Sequence, residues 1–176
     1  MSRVSKRYAK ALFALAKEEQ SLDNVAKDLN RIQRLLKENN DFGNFIVNPI
    51  VGSVKQTQLI NNVFQGQLST LTMNFLYLLC EKKRLSILPE VIIQFTEILR
   101  MYKNEILTEV ISAAILEEGQ LSAITKNVEQ MTNKKVVLET RQDSSLLGGF
   151  LVKIDDFIID NSVRNQLYKL REKMVS

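Results

Sequence analysis

The hydrophobic residues of this 176-residue chain change their spacing near residue 105. Before that position they recur every three or four residues, as Val25, Leu29 and Ile32 do, which is typical of α-helices with one buried face. After it, the segment 106–115 alternates and is rich in β-branched residues, the pattern of a strand. The change predicts a mainly α protein with a small α/β part, divided into a helical domain over 1–105 and an α/β domain over 106–176.

The first half contains five clear helical segments and one weak one. The stretch 41–49 predicts a short helical turn at most, because Asn48 precedes Pro49 and a residue before proline is disfavoured in the helical region. Ser53 is expected to cap the helix that follows. The predicted helices are 4–17, 22–37, 53–64, 69–82 and 88–103.

The second half predicts the order β-α-β-β-β-α, with the helices packed against one face of a sheet. Gly148 and Gly149 predict a turn before a strand, and Asp155 with Asp156 predicts a second turn. The predicted strands are 106–115, 134–140, 150–154 and 157–160. One helix is expected over 117–131, and a last one begins at 161 or 162, with a stripe of Val163, Leu167, Leu170 and Met174.

Composition argues against catalysis. The chain has no His, the commonest general base and metal ligand, and its one cysteine can form neither an internal disulfide nor a structural zinc site. Cys80 lies in an apolar segment and is expected to be a small buried residue. No glycine-rich phosphate loop is present. We therefore predict a non-enzymatic protein with no cofactor, no metal and no membrane span, since the longest apolar run is far shorter than the roughly 20 residues that a span needs.

The charge distribution keeps two alternatives open. The sequence has a pI of about 9.2, and the basic excess lies in residues 1–105, with 15 Lys and Arg against 10 Asp and Glu. An RNA-binding regulator is one alternative, although the predicted strand 150–154 has a single aromatic residue where RNA-binding sheets use several. The acid-free start of the chain is also compatible with a transit peptide. A small-molecule enzyme is the least favoured reading.

Two predicted helices have more apolar surface than one core contact requires. On the first helix the apolar arc is about 200° wide at 100° per residue. On the helix over 70–82 the apolar residues surround nearly the whole circumference, and the polar gap contains only Asn74 and Glu81. A central helix wrapped by its neighbours explains this pattern, and on the pattern alone it is the favoured reading. The other reading is a groove between the two helices that binds an amphipathic helix of another protein.

Several segments resemble one family along the length of the chain. They are RYAKALFALAKEEQ at 7–20, FLYLLCEKKRLSILPEVIIQF at 75–95, VISAAIL at 110–116 and GGFLVKIDDFIIDNSVRNQLYKLREKM at 148–174. In this order they resemble the delta subunit of F-type ATP synthases, whose mitochondrial counterpart is the oligomycin-sensitivity-conferral protein. The closing segment, with its glycine pair, hairpin and final helix, is the most specific part.

The resemblance implies a non-catalytic stator subunit that links the catalytic head to the peripheral stalk, so that rotation couples proton translocation to ATP synthesis. It implies an N-terminal six-helix bundle that binds the N-terminal helix of an alpha subunit, and a C-terminal domain that binds the b-type stalk. The expected alpha-binding residues are Tyr8, Ala11, Leu12, Leu15, Phe75, Leu76 and Leu79. The expected stalk-binding residues are Phe150, Val152, Ile154, Val163 and Leu167.

The same resemblance implies how the protein is placed in a cell. It implies one copy per complex, no nucleic acid partner, and contact with the membrane only through the complex. The expected location is the cytoplasmic face of a bacterial inner membrane, or alternatively the stromal side of a thylakoid.

Overall fold

The computed structural model describes residues 3–48, 51–155 and 157–175. The chain forms two compact units, Met1–Leu99 and Arg100–Ser176. The first is helical and the second contains a four-stranded sheet, which confirms a mainly helical chain with a small α/β part. Pro49 and Asp156, each expected to lie in or next to a turn, are outside the described residues.

The helices of the first half follow the predicted periodicity closely. The helix that ends at Lys103 continues past the limit of the first unit at Leu99. A 3₁₀ turn, Leu85–Ile87, precedes that helix. The helices are α1 (Arg3–Glu18), α2 (Leu22–Glu38), α3 (Asn40–Val47), α4 (Ser53–Phe64), α5 (Thr70–Glu81) and α6 (Leu88–Lys103).

Two local predictions in this region were wrong. The segment expected to be a short turn is α3, an eight-residue helix, because the Asn39 side chain accepts a hydrogen bond from the Phe42 backbone N–H and caps it. Phe42 and Ile46, four residues apart, are buried and hold the helix on the core. Ser53 is not a cap either, since Gly52 occupies the N-cap position of α4 in an extended conformation.

The core of the first unit surrounds α5. Leu76, Leu79 and Cys80 have no exposed surface and belong to one cluster with apolar residues of α1, α2, α3, α4 and α6. The start of α5 is fixed to α2, because the Asp28 carboxylate accepts hydrogen bonds from Ser69 N at 2.9 Å and from Ser69 Oγ at 2.6 Å. Ser69 Oγ in turn accepts the Thr72 N–H at 3.4 Å and caps α5. A hydrogen-bonded contact thus sets where α5 begins.

The second unit is a mixed sheet with strand order β2-β1-β3-β4. β1 and β2 are parallel and are joined through α7, whereas β1–β3 and β3–β4 are antiparallel. The buried residues of β1 alternate strictly, as the period of two predicts. The elements are β1 (Glu105–Ser112), α7 (Glu118–Thr132), β2 (Lys135–Gln142), β3 (Phe150–Ile154), β4 (Phe157–Asp160) and α8 (Val163–Val175).

Only one of the two helices packs against the sheet as expected. Ile124 and Val128 of α7 are buried in the cluster that also contains Val110 and Val152. The apolar residues of α8, in contrast, are exposed. We call them the α8 stripe: Val163 (38% exposed), Leu167 (57%), Leu170 (56%) and Met174 (85%). An apolar stripe shows that a helix needs a partner, but not whether that partner belongs to the same chain, which is why the expectation failed.

The glycine pair positions the beginning of α8. Gly149 has φ +78, a conformation that L side chains rarely adopt, as the turn prediction required. A Cβ atom at this position would lie 2.4 Å from the Asn161 carbonyl oxygen. The Val163 N–H donates to the Gly148 carbonyl at 3.0 Å. The pair therefore serves both as a turn and as a point of close backbone contact.

Candidate functional site

An apolar groove runs between α1 and α5 on the surface of the first unit. Its volume is about 550 Å³. We call it the α1–α5 groove, and its lining residues are Arg7, Tyr8, Ala11, Leu12, Leu15, Glu19, Thr70, Leu71, Asn74, Phe75 and Leu78. It is open at the surface, since Leu15 and Leu78 are 47% and 41% exposed.

The groove results from the rotation of α1 about its own axis, which buries one side of the helix and leaves the adjoining apolar side exposed. Ala9, Leu12 and Ala16 occupy the side of α1 that packs into the core. Ala11 and Leu15 lie beside that side and remain exposed. Because Ala11 has no side chain beyond Cβ, a partner's backbone can approach α1 closely at this position.

Aromatic and cationic contacts hold one end of the groove together. The Tyr8 and Phe75 rings meet edge to face, with their centroids 6.4 Å apart. The Arg84 guanidinium lies over the Tyr8 ring at 5.7 Å and donates a hydrogen bond to Tyr8 Oη at 3.2 Å. Such contacts join α1, α5 and the segment after α5 at the level of Tyr8, so the tyrosine is fixed in place before any partner binds.

The structure brings most of the predicted alpha-binding residues to this groove. Tyr8, Ala11, Leu12, Leu15 and Phe75 all line it. Leu76 and Leu79 do not, because both are fully buried in the core. We therefore remove these two leucines from the candidate contact surface.

Sequence reasoning missed other lining residues on α5. Leu71 and Leu78 line the groove on either side of Asn74. A signal for them was present, because Asn74 is the polar gap in an otherwise apolar helix and marks the side that faces outward. Its i−3 and i+4 neighbours are Leu71 and Leu78, so they share that side.

The second unit contains a smaller cavity of about 420 Å³ between α7 and the sheet. Of the predicted stalk-binding residues, Phe150 and Val152 line it, together with α7 residues such as Met131, which is 70% exposed. The others lie elsewhere: Ile154 is buried in the core, and Val163 and Leu167 are exposed on the α8 stripe. The predicted set is thus divided between a cavity, the core and a helix surface.

Three ionisable groups with shifted pKa values, Cys80, Asp143 and Asp160, have structural surroundings. Burial raises the pKa of the Cys80 thiol, while a hydrogen bond with Thr57 opposes the shift, so the thiol remains protonated and is the small buried residue that was predicted. Hydrogen bonds from Ser162 lower the pKa of Asp160, and those from Ser145 lower the pKa of Asp143. Each of these aspartates accepts from the backbone N–H two residues ahead and fixes a turn.

Within the described ranges, no group of three or more His, Cys, Asp or Glu side chains is placed to hold a metal ion. The same part of the chain has no helix that combines the length and hydrophobicity of a membrane span. The described residues do present the α1–α5 groove, the cavity beside α7 and the exposed α8 stripe, all of them apolar. Such features suit protein–protein contact.

Comparison with known proteins gives consistent results over nearly the whole chain. Residues 4–174 match the family model described as ATP synthase delta (OSCP) subunit. ATP synthase subunit delta of Carboxydothermus hydrogenoformans is 34% identical, covering 97% of this chain and 96% of the relative, and that of Nostoc sp. is 36% identical, covering 95% and 91%.

Solved structures agree on the fold. A chain in the cryo-EM structure of the Toxoplasma gondii mitochondrial ATP synthase hexamer has a TM-score of 0.74 at 23% identity, with 99% of both chains covered. A chain in the Polytomella F-ATP synthase has a TM-score of 0.53 at 26% identity and covers 58% of this chain and 91% of its own.

Proposed function

The chain belongs to the ATP synthase delta (OSCP) subunit family, and from this membership we propose that it works through two separate partner surfaces. As a member of this family it is a non-catalytic stator component that links the F1 head to the peripheral stalk. The finer proposal concerns which surface binds which partner. The α1–α5 groove is assigned to the N-terminal helix of the alpha subunit, and the second unit to the b-type stalk.

The α1–α5 groove carries the first assignment. Its apolar floor and its small Ala11 wall suit the apolar face of an amphipathic helix, which contacts a groove through residues spaced three and four apart. Tyr8 and Phe75 are already held in place by their mutual contact, so little side-chain entropy is lost when a helix binds. Grooves with several apolar anchors can reach nanomolar affinity, about −12 kcal/mol.

The second unit offers two surfaces for the b-type stalk, the cavity lined by Phe150 and Val152 and the α8 stripe. The stripe gives stronger support, because a helix that exposes Leu167, Leu170 and Met174 gains most from burial against a partner. Two attachments on one chain also reinforce each other, since the first holds the second at high effective concentration.

A stator subunit catalyses no reaction, but it must stay bound to the catalytic head and to the peripheral stalk under mechanical load. Torque from the rotor would turn the catalytic head together with the central shaft unless the head were held fixed relative to the membrane sector. One copy per complex suffices for this role. Its contact with the membrane is indirect, and its place is the cytoplasmic face of a bacterial inner membrane or the stromal side of a thylakoid.

Titration calorimetry of the full chain with a synthetic peptide of the alpha subunit N-terminus tests the groove assignment. Ala11→Arg fills the groove and should abolish binding, whereas Ala14→Arg introduces the same side chain at an exposed alanine of α1 that does not line the groove. Equal affinities of the two variants, or no binding by the folded unmodified chain at micromolar concentration, would refute the assignment.

A further inference from the structure

The two ends of the α1–α5 groove carry opposite charges. Arg7 lines one end and Glu19 the other, and both side chains are exposed. Glu19 directly follows the last residue of α1, and its N–H still donates to the Leu15 carbonyl at 3.0 Å, so the twelve positions from Arg7 span about 18 Å at 1.5 Å per residue. The charges are therefore separated by roughly three turns of any helix that lies along the groove.

Neighbouring groups strengthen this difference. Tyr8 contacts both Phe75 and Arg84, so the Arg84 guanidinium adds positive charge at the Arg7 end. Because Phe75 lies beside Tyr8 at the Arg7 end, the start of α5 lies toward the Glu19 end. There the Asp28 carboxylate accepts two hydrogen bonds from Ser69. Lys82 adds little beside Arg84, because it pairs with Glu81 at 2.8 Å.

We propose that this charge difference sets the direction of the bound helix, which lies antiparallel to α1 with its N-terminus at Glu19 and its C-terminus at Arg7. This inference rests on the proposed function, since it takes the alpha subunit N-terminal helix as the occupant of the groove. A helix carries about half a positive charge at its N-terminus and half a negative charge at its C-terminus. Both ends then face a side chain of opposite sign, whereas the reverse orientation places like charges together at both ends.

The apolar floor alone does not fix a direction, because apolar contact is not directional. Arg7 and Glu19 are thus specificity-determining residues, and the favoured partner is an amphipathic helix of about three turns whose acidic side chains lie toward its C-terminal end.

Paramagnetic NMR of the full chain reads the direction directly. A synthetic peptide of the alpha subunit N-terminus carries a nitroxide at one end or the other. The N-terminal label should broaden backbone amide signals near Glu19, and the C-terminal label those near Arg7. The opposite pattern, or equal broadening at both ends, would overturn the inference while leaving the groove assignment intact.

Exchanging the two charges tests whether Arg7 and Glu19 set the direction of the bound helix. Arg7→Glu combined with Glu19→Lys reverses the two ends and should weaken binding by about 5- to 30-fold or invert the label pattern, with the effect fading near 1 M salt. Lys6→Glu combined with Glu18→Lys makes the same formal changes at exposed α1 positions outside the groove and should alter affinity by less than about twofold.

Failure of the inference and failure of the proposed function remain distinct in this design. If the groove exchange behaves like its control and keeps the label pattern, the charges do not set the direction and the inference fails. If the peptide does not bind the unmodified, folded chain, the proposed function fails first. All four substituted positions are exposed, so circular dichroism should show the same fold in both double variants.

Discussion

Gly149→Ala should destabilise the second unit by about 2–5 kcal/mol. The alanine must adopt φ +78, and the left-handed region costs a residue with a Cβ about 1–2 kcal/mol. Its Cβ would also lie 2.4 Å from the Asn161 carbonyl oxygen and 3.0 Å from Ser162 Cα, both backbone atoms. Backbone must therefore move, and shifts forced by overpacking cost about 1–3 kcal/mol more.

Gly66→Ala is the matched control. Gly66 has φ +73, but a Cβ at this position has no heavy atom within 4 Å. Gly66→Ala should therefore lower the free energy of unfolding only by the cost of the left-handed conformation, about 1–2 kcal/mol. Urea denaturation followed by circular dichroism gives the total loss in each variant, and hydrogen exchange measured on peptides of β3 and α8 locates it.

The difference in stability between the two variants measures the effect of the close contact at Gly149. If Gly149→Ala costs no more than Gly66→Ala, the close approach to Asn161 does not constrain the fold. If exchange in α8 is unchanged in Gly149→Ala, the glycine pair does not hold the start of that helix.

Three further predictions concern polar groups. Thr108 Oγ1 is buried and has no hydrogen-bond partner among the described residues, so Thr108→Val should leave stability unchanged or raise it by about 1 kcal/mol in urea denaturation. Asp28→Ala removes both hydrogen bonds to Ser69 and should cost about 1–3 kcal/mol, with faster hydrogen exchange at the start of α5. Because the folded pKa of Asp160 is lowered by Ser162, its contribution is complete above about pH 3.9 and is lost as the pH falls through the folded pKa. The protection factor of amides at the start of α8, which corrects for the slower intrinsic exchange at low pH, should fall on acidification, and less so in Asp160→Asn.

Helix and strand positions were largely readable from residue spacing. The strands β3 and β4 and the helices α4 and α6 have the predicted bounds. The segment α3 was not readable, because its helix depends on a hydrogen bond between the Asn39 side chain and the Phe42 backbone. Periodicity contains no information about such a bond, and Asn and Gly residues weaken the helical signal.

The candidate groove was readable on one side only. On α1, exposed apolar positions adjoin buried ones, so an excess arc could be identified. On α5 the apolar residues surround the helix, so the spacing of the apolar residues alone did not separate Leu71 and Leu78, which line the groove, from Leu76 and Leu79, which are buried, and the polar Asn74 was the one signal for the outward side. That distinction depends on where neighbouring helices pack, which is a tertiary property.

The α8 stripe has a consequence for a cell that makes this chain faster than its partners. Unassembled copies would expose an apolar helix surface, which promotes aggregation and is recognised by chaperones and proteases. We expect surplus copies to be degraded, so that supply is matched to demand without a dedicated regulator.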